Sequence, residues 1–345
     1  MPRQSFPSFE YKLLQSLKPF LNYKKNPRFP LPIGDDAAIC VCGPKEKLIL
    51  TADTFVQDVH FSPAYMTFEE IGYKAMAINL SDIAAMAAAP DGALVQIVFP
   101  EDCGTGKILA DMKKLYKGFD EACKNWGFSI IGGNLSKGPC WMIDITLIGK
   151  AGKRARLLLR TGAKNGDGLW VSGYPGEAGA GLAALRTWGR RRVPAQYNSL
   201  VMRHVRPCPR IELGRALGKD TQAHALIDIS DGISKECRTL AYENKLGILL
   251  DDEPACVSCP TRQLAFRLQK DWRGWYLHGG EDYELLFAAA KAFDPSKLVA
   301  NTGIPITRIG TFSRSFKGVG VRRRNNGGIA LLKQGGWDHL RKALL

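Results

Sequence analysis

Five acidic motifs carry the chemistry this sequence can offer: "GDDAA" (Asp35, Asp36), "TADT" (Asp53), "NLSD" (Asp82), "DISDG" (Asp228, Asp231) and "GGEDYE" (Glu281, Asp282, Glu284). Each stands beside small or apolar residues, where a solvated surface carboxylate is not expected. Asp82 is the sharpest case. On a helix of about 3.6 residues per turn, Ile71, Ala75, Ile78, Asp82, Ala85 and Ala89 form one stripe, which aims the carboxylate inward with the apolar face. A buried carboxylate stays ionised only with a cation or hydrogen-bond donors around it; otherwise its pKa shifts. Taken singly, each acid is explained by a helix cap or a salt bridge, and "DISDG" would cap the helix after it through Ser230 or Asp231. Five such motifs with no His/Cys cluster point instead to hard cations on oxygen ligands, with Mg2+ shared with substrate phosphates as the best fit. No Ser-His-Asp or Cys-His arrangement is readable, and the five histidines are scattered.

The elements that must position these acids alternate. After a short helix near Phe9 to Leu17, "NPRFPLPIGDDAAIC" is a loop feeding a strand, and "KLILTADTF" is a strand. "FEEIGYKAMAINLSDIAAMAAAP" is predicted as a helix closed by Pro90. "ALVQIVFP" follows as a strand, "TGKILADMKKLYKGFDEACKNWG" as an amphipathic helix, "FSIIGG" as a strand and "WMIDITLIGKA" as another. "IIGGNLSKGP" (Ile130 to Pro139) reads as a strand running into a glycine loop where a ligand approaches the backbone. Beyond a boundary near Lys150 to Arg156, a second unit opens with the strand "GLWVSG" and the helices "EAGAGLAALRTWG" and "PRIELGRALG". "AHALIDIS" is a strand entering the helix "DGISKECRTLAYENK", and "EDYELLFAAA" and "PITRIGTF" are late strands. The expectation is an α/β chain of two domains, 1–150 and 151–345.

Two glycine stretches imitate phosphate loops. "EDCGTGKI" lacks the leading Gly and the Ser/Thr after Lys107 that a P-loop needs. Gly179-x-Gly181-x-x-Ala184 follows a strand, but no acidic residue stands about 20 positions later to hold a ribose. Close helix packing through small residues is the stronger reading.

Of 345 residues, 45% are hydrophobic, enough for two ordinary cores. No apolar run approaches the roughly 20 residues that span a bilayer, and the N-terminus lacks the apolar stretch of a signal peptide. Nine cysteines form no framework; the lone CxxC, Cys256 and Cys259, has no second pair or nearby His, so free thiols in a reducing cytosol are expected. The net charge of +15 is dispersed, densest at Arg190 to Arg192 and Arg322 to Arg324, without the interleaved aromatics of a base-stacking surface. It suits phosphate-bearing metabolites as well as any polymer. The chain therefore reads as cytoplasmic, with no membrane and no nucleic acid among its partners.

In this order the motifs "GDDAA", "TADTFVQDVHF", "GYKAMAINLSDIAAMAAAP", "IIGGNLSKGP", "RTGAKNGDGLWVSG", "RHVRPCPR", "DISDGIS", "GGEDYELLFA" and "GGWDHL" resemble the thiamine-monophosphate kinase family. That family belongs to the superfamily of aminoimidazole ribonucleotide synthetase and selenophosphate synthetase. The likeness covers nearly the whole chain, and "VHF", "SDIAAM" and "GGEDYELLF" separate it from the sister families. It implies transfer of the ATP γ-phosphoryl group to thiamine monophosphate. It also implies a homodimer whose N-terminal sheets pair into a barrel, each C-terminal domain being an α/β layer beside the nucleotide cleft. Other implied readings are another ATP-dependent member of the superfamily, or a degenerate nucleotide-binding regulator.

Carried over motif by motif, the resemblance makes Asp36, Thr51, Asp53, Asp82, Asn134, Asp228 and Asp231 ligands of several Mg2+ ions. Asp53, Asp82, Asp228 and Asp231 are then the catalytic set; Gly133, Asn134, Arg160 and Ser230 contact ATP, and His60, Glu281 and Trp337 contact the acceptor. Two positions depart from the family pattern, Asn134 in place of Asp and Ala52 in place of Ser or Thr. Both departures remove ligands from a Mg2+ near Asp53, which is expected to bind more loosely. The resemblance fits the physics: an acceptor that is already an ionised phosphate needs no general base, only relief of the repulsion between two polyanions.

Overall fold

In the computed structural model, residues 8–17, 26–31, 34–44, 46–152, 156–323 and 328–338 are described. Residues 153–155 of the expected boundary, Arg324, and His339 and Leu340 of the closing motif lie outside them.

Alternating apolar residues build a first sheet from β1 (Ala38–Gly43), β2 (Glu46–Val56), β3 (Ala89–Pro100), β4 (Ser129–Gly138) and β5 (Met142–Lys150), in the order β1-β2-β5-β3-β4. On β2, Ile49, Thr51 and Phe55 are buried on one face, and the two-residue period places Asp53 on that same face. Against this face lies α2 (Phe68–Ala85), with α3 (Thr105–Trp126) packed beside it. A capping box starts α2: Glu70 N–H donates to Thr67 Oγ1 at 3.2 Å, and Thr67 N–H donates to Glu70 Oε2 at 2.9 Å.

The inward stripe predicted for α2 understates its burial. Every residue from Glu70 to Ala85 except Asp82 is buried, so α2 is a central axis rather than an amphipathic surface helix. The helix also ends earlier than Pro90 suggested. Ala87 takes a left-handed turn (φ 56°), and Ala89 and Pro90 already belong to β3. Ala89 therefore drops out of the stripe.

The second sheet has the order β12-β11-β8-β10-β6-β9-β7. Its strands are β6 (Gly168–Ser172), β7 (Ala223–Asp228), β8 (Gly247–Asp251), β9 (Leu285–Ala289), β10 (Ile306–Ser313), β11 (Val319–Arg322) and β12 (Ile329–Leu331). The helices that matter for the cavity below are α4 (Glu177–Trp188), α5 (Asn198–Val205), α6 (Ile211–Leu217), α7 (Ile233–Asn244) and, between α7 and β9, α8 (Cys259–Arg267) and α9 (Trp272–His278). α2 touches α5, α6 and β7 as well as the first sheet, so one apolar core runs through both halves. Cys256 is buried and Cys259 exposed, and both are free thiols.

The glycine loop expected at Ile130 to Pro139 is instead strand. β4 continues through both glycines, paired in parallel with β3, because the backbones approach closely there: a Cβ on Gly133 would stand 1.8 Å from Val95 O. β4 is the sheet edge, and its Ile131 and Leu135 are 60% and 56% exposed.

The small residues of "EAGAGLAAL" do pack helices, as expected. A Cβ on Gly181 would meet Leu200 O of α5 at 2.1 Å. Gly181→Ala must push α4 off α5, and overpacking of this kind costs about 1–3 kcal/mol. Denaturant unfolding should show that loss; an unchanged midpoint would mean that the two helices are not held in this contact.

Candidate active site

A cavity of about 750 Å3 opens between the inner face of the first sheet and the loops beyond β7 and before β9. Asp36, Asp53, Asp82, Asp228 and Asp231 all line it. Carboxylate oxygens of Asp36, Asp82 and Asp228 lie within 4.8 Å of one another. They arrive from three separate places: the turn before β1, the last turn of α2, and the last residue of β7. Asp53 projects from β2, and Asp231 sits in the turn between β7 and α7.

Protein donors satisfy only part of this charge. Thr51 Oγ1 donates to Asp82 Oδ2 at 2.5 Å, and Ser81 Oγ donates to Asp228 Oδ2 at 2.6 Å. Arg160 donates through Nε and Nη2 to Asp36 Oδ1, at 3.1 and 2.5 Å, while Asp36 Oδ2 is buried with no partner among the described residues. The Arg160 N–H donates to Asp35, which shapes the turn. Lys235 Nζ holds Asp231 at 2.7 Å. Burial first, then the Asp53 and Asp228 charges, hold the Asp82 carboxyl well above the usual range. Asp228 is pushed up to about 8 by burial and then by Asp36, and Asp53 to about 6 by burial and then by Asp231 and Asp144. Such a set is all oxygen, tightly gathered, and short of positive charge. It fits a hard divalent cation. The capping alternative for "DISDG" is excluded, since α7 is capped by Gly232 with no side-chain hydrogen bond.

The other end of the cavity is built around Glu281. Its backbone is left-handed at φ 66°, and Tyr283 follows at φ 49°. Non-glycine residues in this region cost about 1–2 kcal/mol each, so the loop must be clamped. Asp282 between them accepts from Gly176 N at 2.7 Å and Ala178 N at 3.1 Å, at the start of α4. Glu281 N donates to Ser230 O, and Tyr283 N to Ile229 O. Lys74 of α2, completely buried, places Nζ 2.9 Å from Glu281 Oε1, and His204 of α5 places Nδ1 3.3 Å from Oε2. Burial alone would raise the Glu281 pKa, but the Lys74 charge holds it below the usual range. Burial and then Lys74 push His204 down to about 3, so its ring is neutral. His60 lines the same cavity, stacked on Phe55 and accepting at Nδ1 from Val56 N. Trp337, 46% exposed, lines the same cavity, and its backbone N–H donates to Asp231 O at 2.9 Å.

The structure therefore brings Asp36, Thr51, Asp53, His60, Asp82, Arg160, Asp228, Ser230, Asp231, Glu281 and Trp337 to one cavity. Gly133 and Asn134 are not among its lining residues. Strand register explains why: Asp53 pairs with Ile145, Ile145 with Val95, and Val95 with Gly133. Three strand spacings separate the ends of that row, about 14 Å. Within one chain Asn134 is too far from Asp53 to share an ion with it.

Sequence reading missed Lys74, His204, Arg186 and Asn244. Arg186 lines the cavity, and Asn244 pins the Arg160 turn by donating to Arg160 O and accepting from Gly162 N and Ala163 N. Lys74 did leave a signal, a lone cation in the apolar run "GYKAMAI". His204 left only its place in "RHVRPCPR".

Residues 34–151 match the family model of AIR synthase related protein, N-terminal domain. The chain is 31% identical over 336 residues to a thiamine-monophosphate kinase of Bacillus subtilis, covering 96% of this chain and 99% of that one. Its fold superposes on AaThiL complexed with AMPPCP and TMP with a TM-score of 0.81, at 29% identity over 98% of this chain and 99% of that chain. A thiamine-monophosphate kinase structure from Stenotrophomonas maltophilia gives 0.73 at 32% identity, covering 94% and 98%. Among the described residues no helix is long and apolar enough to cross a membrane.

The raised carboxyl pKa values set a pH test. Asp228 keeps its proton in the folded state up to about 8, against a value of 3.8 when unperturbed. The folded state thus binds more protons between these values, and its stability falls as pH rises through that window. Thermal unfolding in chelator should weaken from about pH 4 to pH 8, and the gain on adding Mg2+ should grow over the same range. A Mg2+ gain that is flat with pH would contradict the cluster's charge balance.

Proposed function

The chain belongs to the thiamine-monophosphate kinase family, and we propose that it transfers the γ-phosphoryl group of ATP in line to the phosphate of thiamine monophosphate, with Mg2+, giving thiamine diphosphate and ADP. One observation carries this reading. The same cavity holds a cation-demanding carboxylate cluster at one end and a clamped, charge-balanced carboxylate beside aromatic and imidazole rings at the other. A polyphosphate suits the first end and a heterocycle the second.

Asp36, Asp82 and Asp228 would hold Mg2+, with Thr51, Asp53 and Asp231 around them. When bound, the metal supplies positive charge that lets two phosphates approach each other. The protein's own residues do the rest. Arg160, held by Asp36 and by the Asn244-pinned turn, keeps a guanidinium at the cavity wall, where it would meet the transferred group. Ser230 lies between the two ends, its carbonyl fixing Glu281. Trp337 offers a face to the cationic thiazolium. The acceptor oxygen carries no proton to remove, so neutral His204 and the Lys74-paired Glu281 serve recognition rather than base catalysis.

The outer face of the first sheet supports a homodimer. Leu48, Leu50, Leu94, Met142 and Ile148 face outward and are only half-buried, next to exposed Ile131 and Leu135. Pairing of this face with a second copy would bring each edge strand β4, with Gly133 and Asn134, toward the partner's cavity.

Purified protein given ATP, Mg2+ and thiamine monophosphate should form thiamine diphosphate; no product across a range of Mg2+ concentrations overturns the assignment. Asn134→Asp should lower the Mg2+ concentration that gives half-maximal activity. Identical titration curves would remove Asn134 from the metal's surroundings.

A further inference from the structure

His204 sits at the acceptor end of the cavity, where recognition is its part in the reaction but the group it recognises is still to be named. It is 1% exposed and lines the cavity; among the described residues Nδ1 has only the Glu281 carboxylate, at 3.3 Å, and Nε2 has no hydrogen-bond partner. A buried polar side chain left in that state is costly unless a ligand completes it. Packing fixes where the ring stands. α5 carries it, α4 fixes α5 through the Gly181 contact, and the Tyr65 ring lies 6.1 Å from the imidazole.

The neighbouring carboxylate decides which nitrogen carries the proton. Nδ1 faces Glu281 Oε2 at 3.3 Å, and Glu281 is an acceptor pinned on its other side by Lys74. Facing an anion, Nδ1 keeps its hydrogen, which leaves Nε2 as a bare acceptor. Glu281 and His204 together then offer two acceptors and no donor. A group that satisfies both carries more than one N–H on a planar, apolar frame, which is the chemistry of an exocyclic amine on a heteroaromatic ring.

We propose that His204 is a specificity-determining residue whose Nε2 accepts a hydrogen bond from the aminopyrimidine amine of the acceptor, alongside the Glu281 carboxylate held by Lys74. This inference rests on the proposed function and extends it to the group by which the acceptor is told from analogues. An oxo group in place of the amine would set an acceptor against two acceptors, and the tautomer switch that could rescue it would turn a bare Nδ1 toward Glu281.

The experiment compares thiamine monophosphate with oxythiamine monophosphate, which carries the oxo group, on the full chain and on His204→Phe and His204→Gln. Direct binding is measured by calorimetry, and KM and kcat by turnover. His204→Phe should weaken thiamine monophosphate binding by about tenfold or more and erode the preference over the oxo analogue by a similar factor. KM for ATP should not change, which also reports that the variant is folded. His204→Gln, which keeps an acceptor oxygen, should recover part of the preference. Unchanged binding, or an equal loss for both ligands, overturns the role of His204 while leaving the kinase assignment standing. Binding of thiamine monophosphate without turnover removes the kinase assignment, and the binding ratios still judge His204. No binding by the unaltered chain overturns both.

Discussion

Three carboxylates within 4.8 Å of one another, largely buried in the wall of one cavity, are the constraint around which this structure is arranged. Like charges at that distance in a low-dielectric site cannot all remain ionised without a counter-charge. The protein supplies too little of its own. Arg160 answers one oxygen of Asp36, and two hydroxyls answer Asp82 and Asp228. The remaining deficit is what makes the site a receptor for a cation and, through it, for phosphate.

Much of the fold serves to maintain that deficit. α2 is buried all round so that Asp82 can be delivered to the middle of the molecule, and its contacts with both halves set the distance between Asp36 and Asp228. The turn carrying Arg160 is stapled to α7 by Asn244. At the opposite end the logic reverses. There Glu281 meets a buried Lys74, and the pair is neutral as a unit before any ligand arrives. The left-handed residues Glu281 and Tyr283 are held by Asp282 and by backbone bonds to Ile229 and Ser230, so the two ends share one loop framework. One end demands charge and the other offers shape and hydrogen bonds.

What could be read from sequence follows from local physics. The acids stood out because each interrupts an apolar context, and the strands and helices carrying them have periods visible over a few residues. Three features were not legible. The strand β4 runs through two glycines because β3 approaches it, and that approach is a tertiary fact. Asn134 lies about 14 Å from Asp53 because β5 and β3 intervene, an order that no linear pattern records. His204 and Lys74 meet Glu281 across more than 70 residues of chain; Lys74 stood out only as a lone cation in an apolar run, with nothing to name its partner, and His204 by itself looks like an ordinary helix residue. Pro90 misled for a related reason: a strand accepts Pro where its N–H faces no partner, so the residue did not mark the helix end.

The central claim is that Asp82 and Asp228 wait partly protonated for a cation. Calorimetric titration of Mg2+ into the metal-free protein at pH 7, in buffers of differing ionisation enthalpy, tests it most directly. The account predicts that binding releases protons, seen as a heat that changes with the buffer. A binding heat independent of buffer would mean that the carboxylates were already ionised and otherwise compensated, and would contradict it.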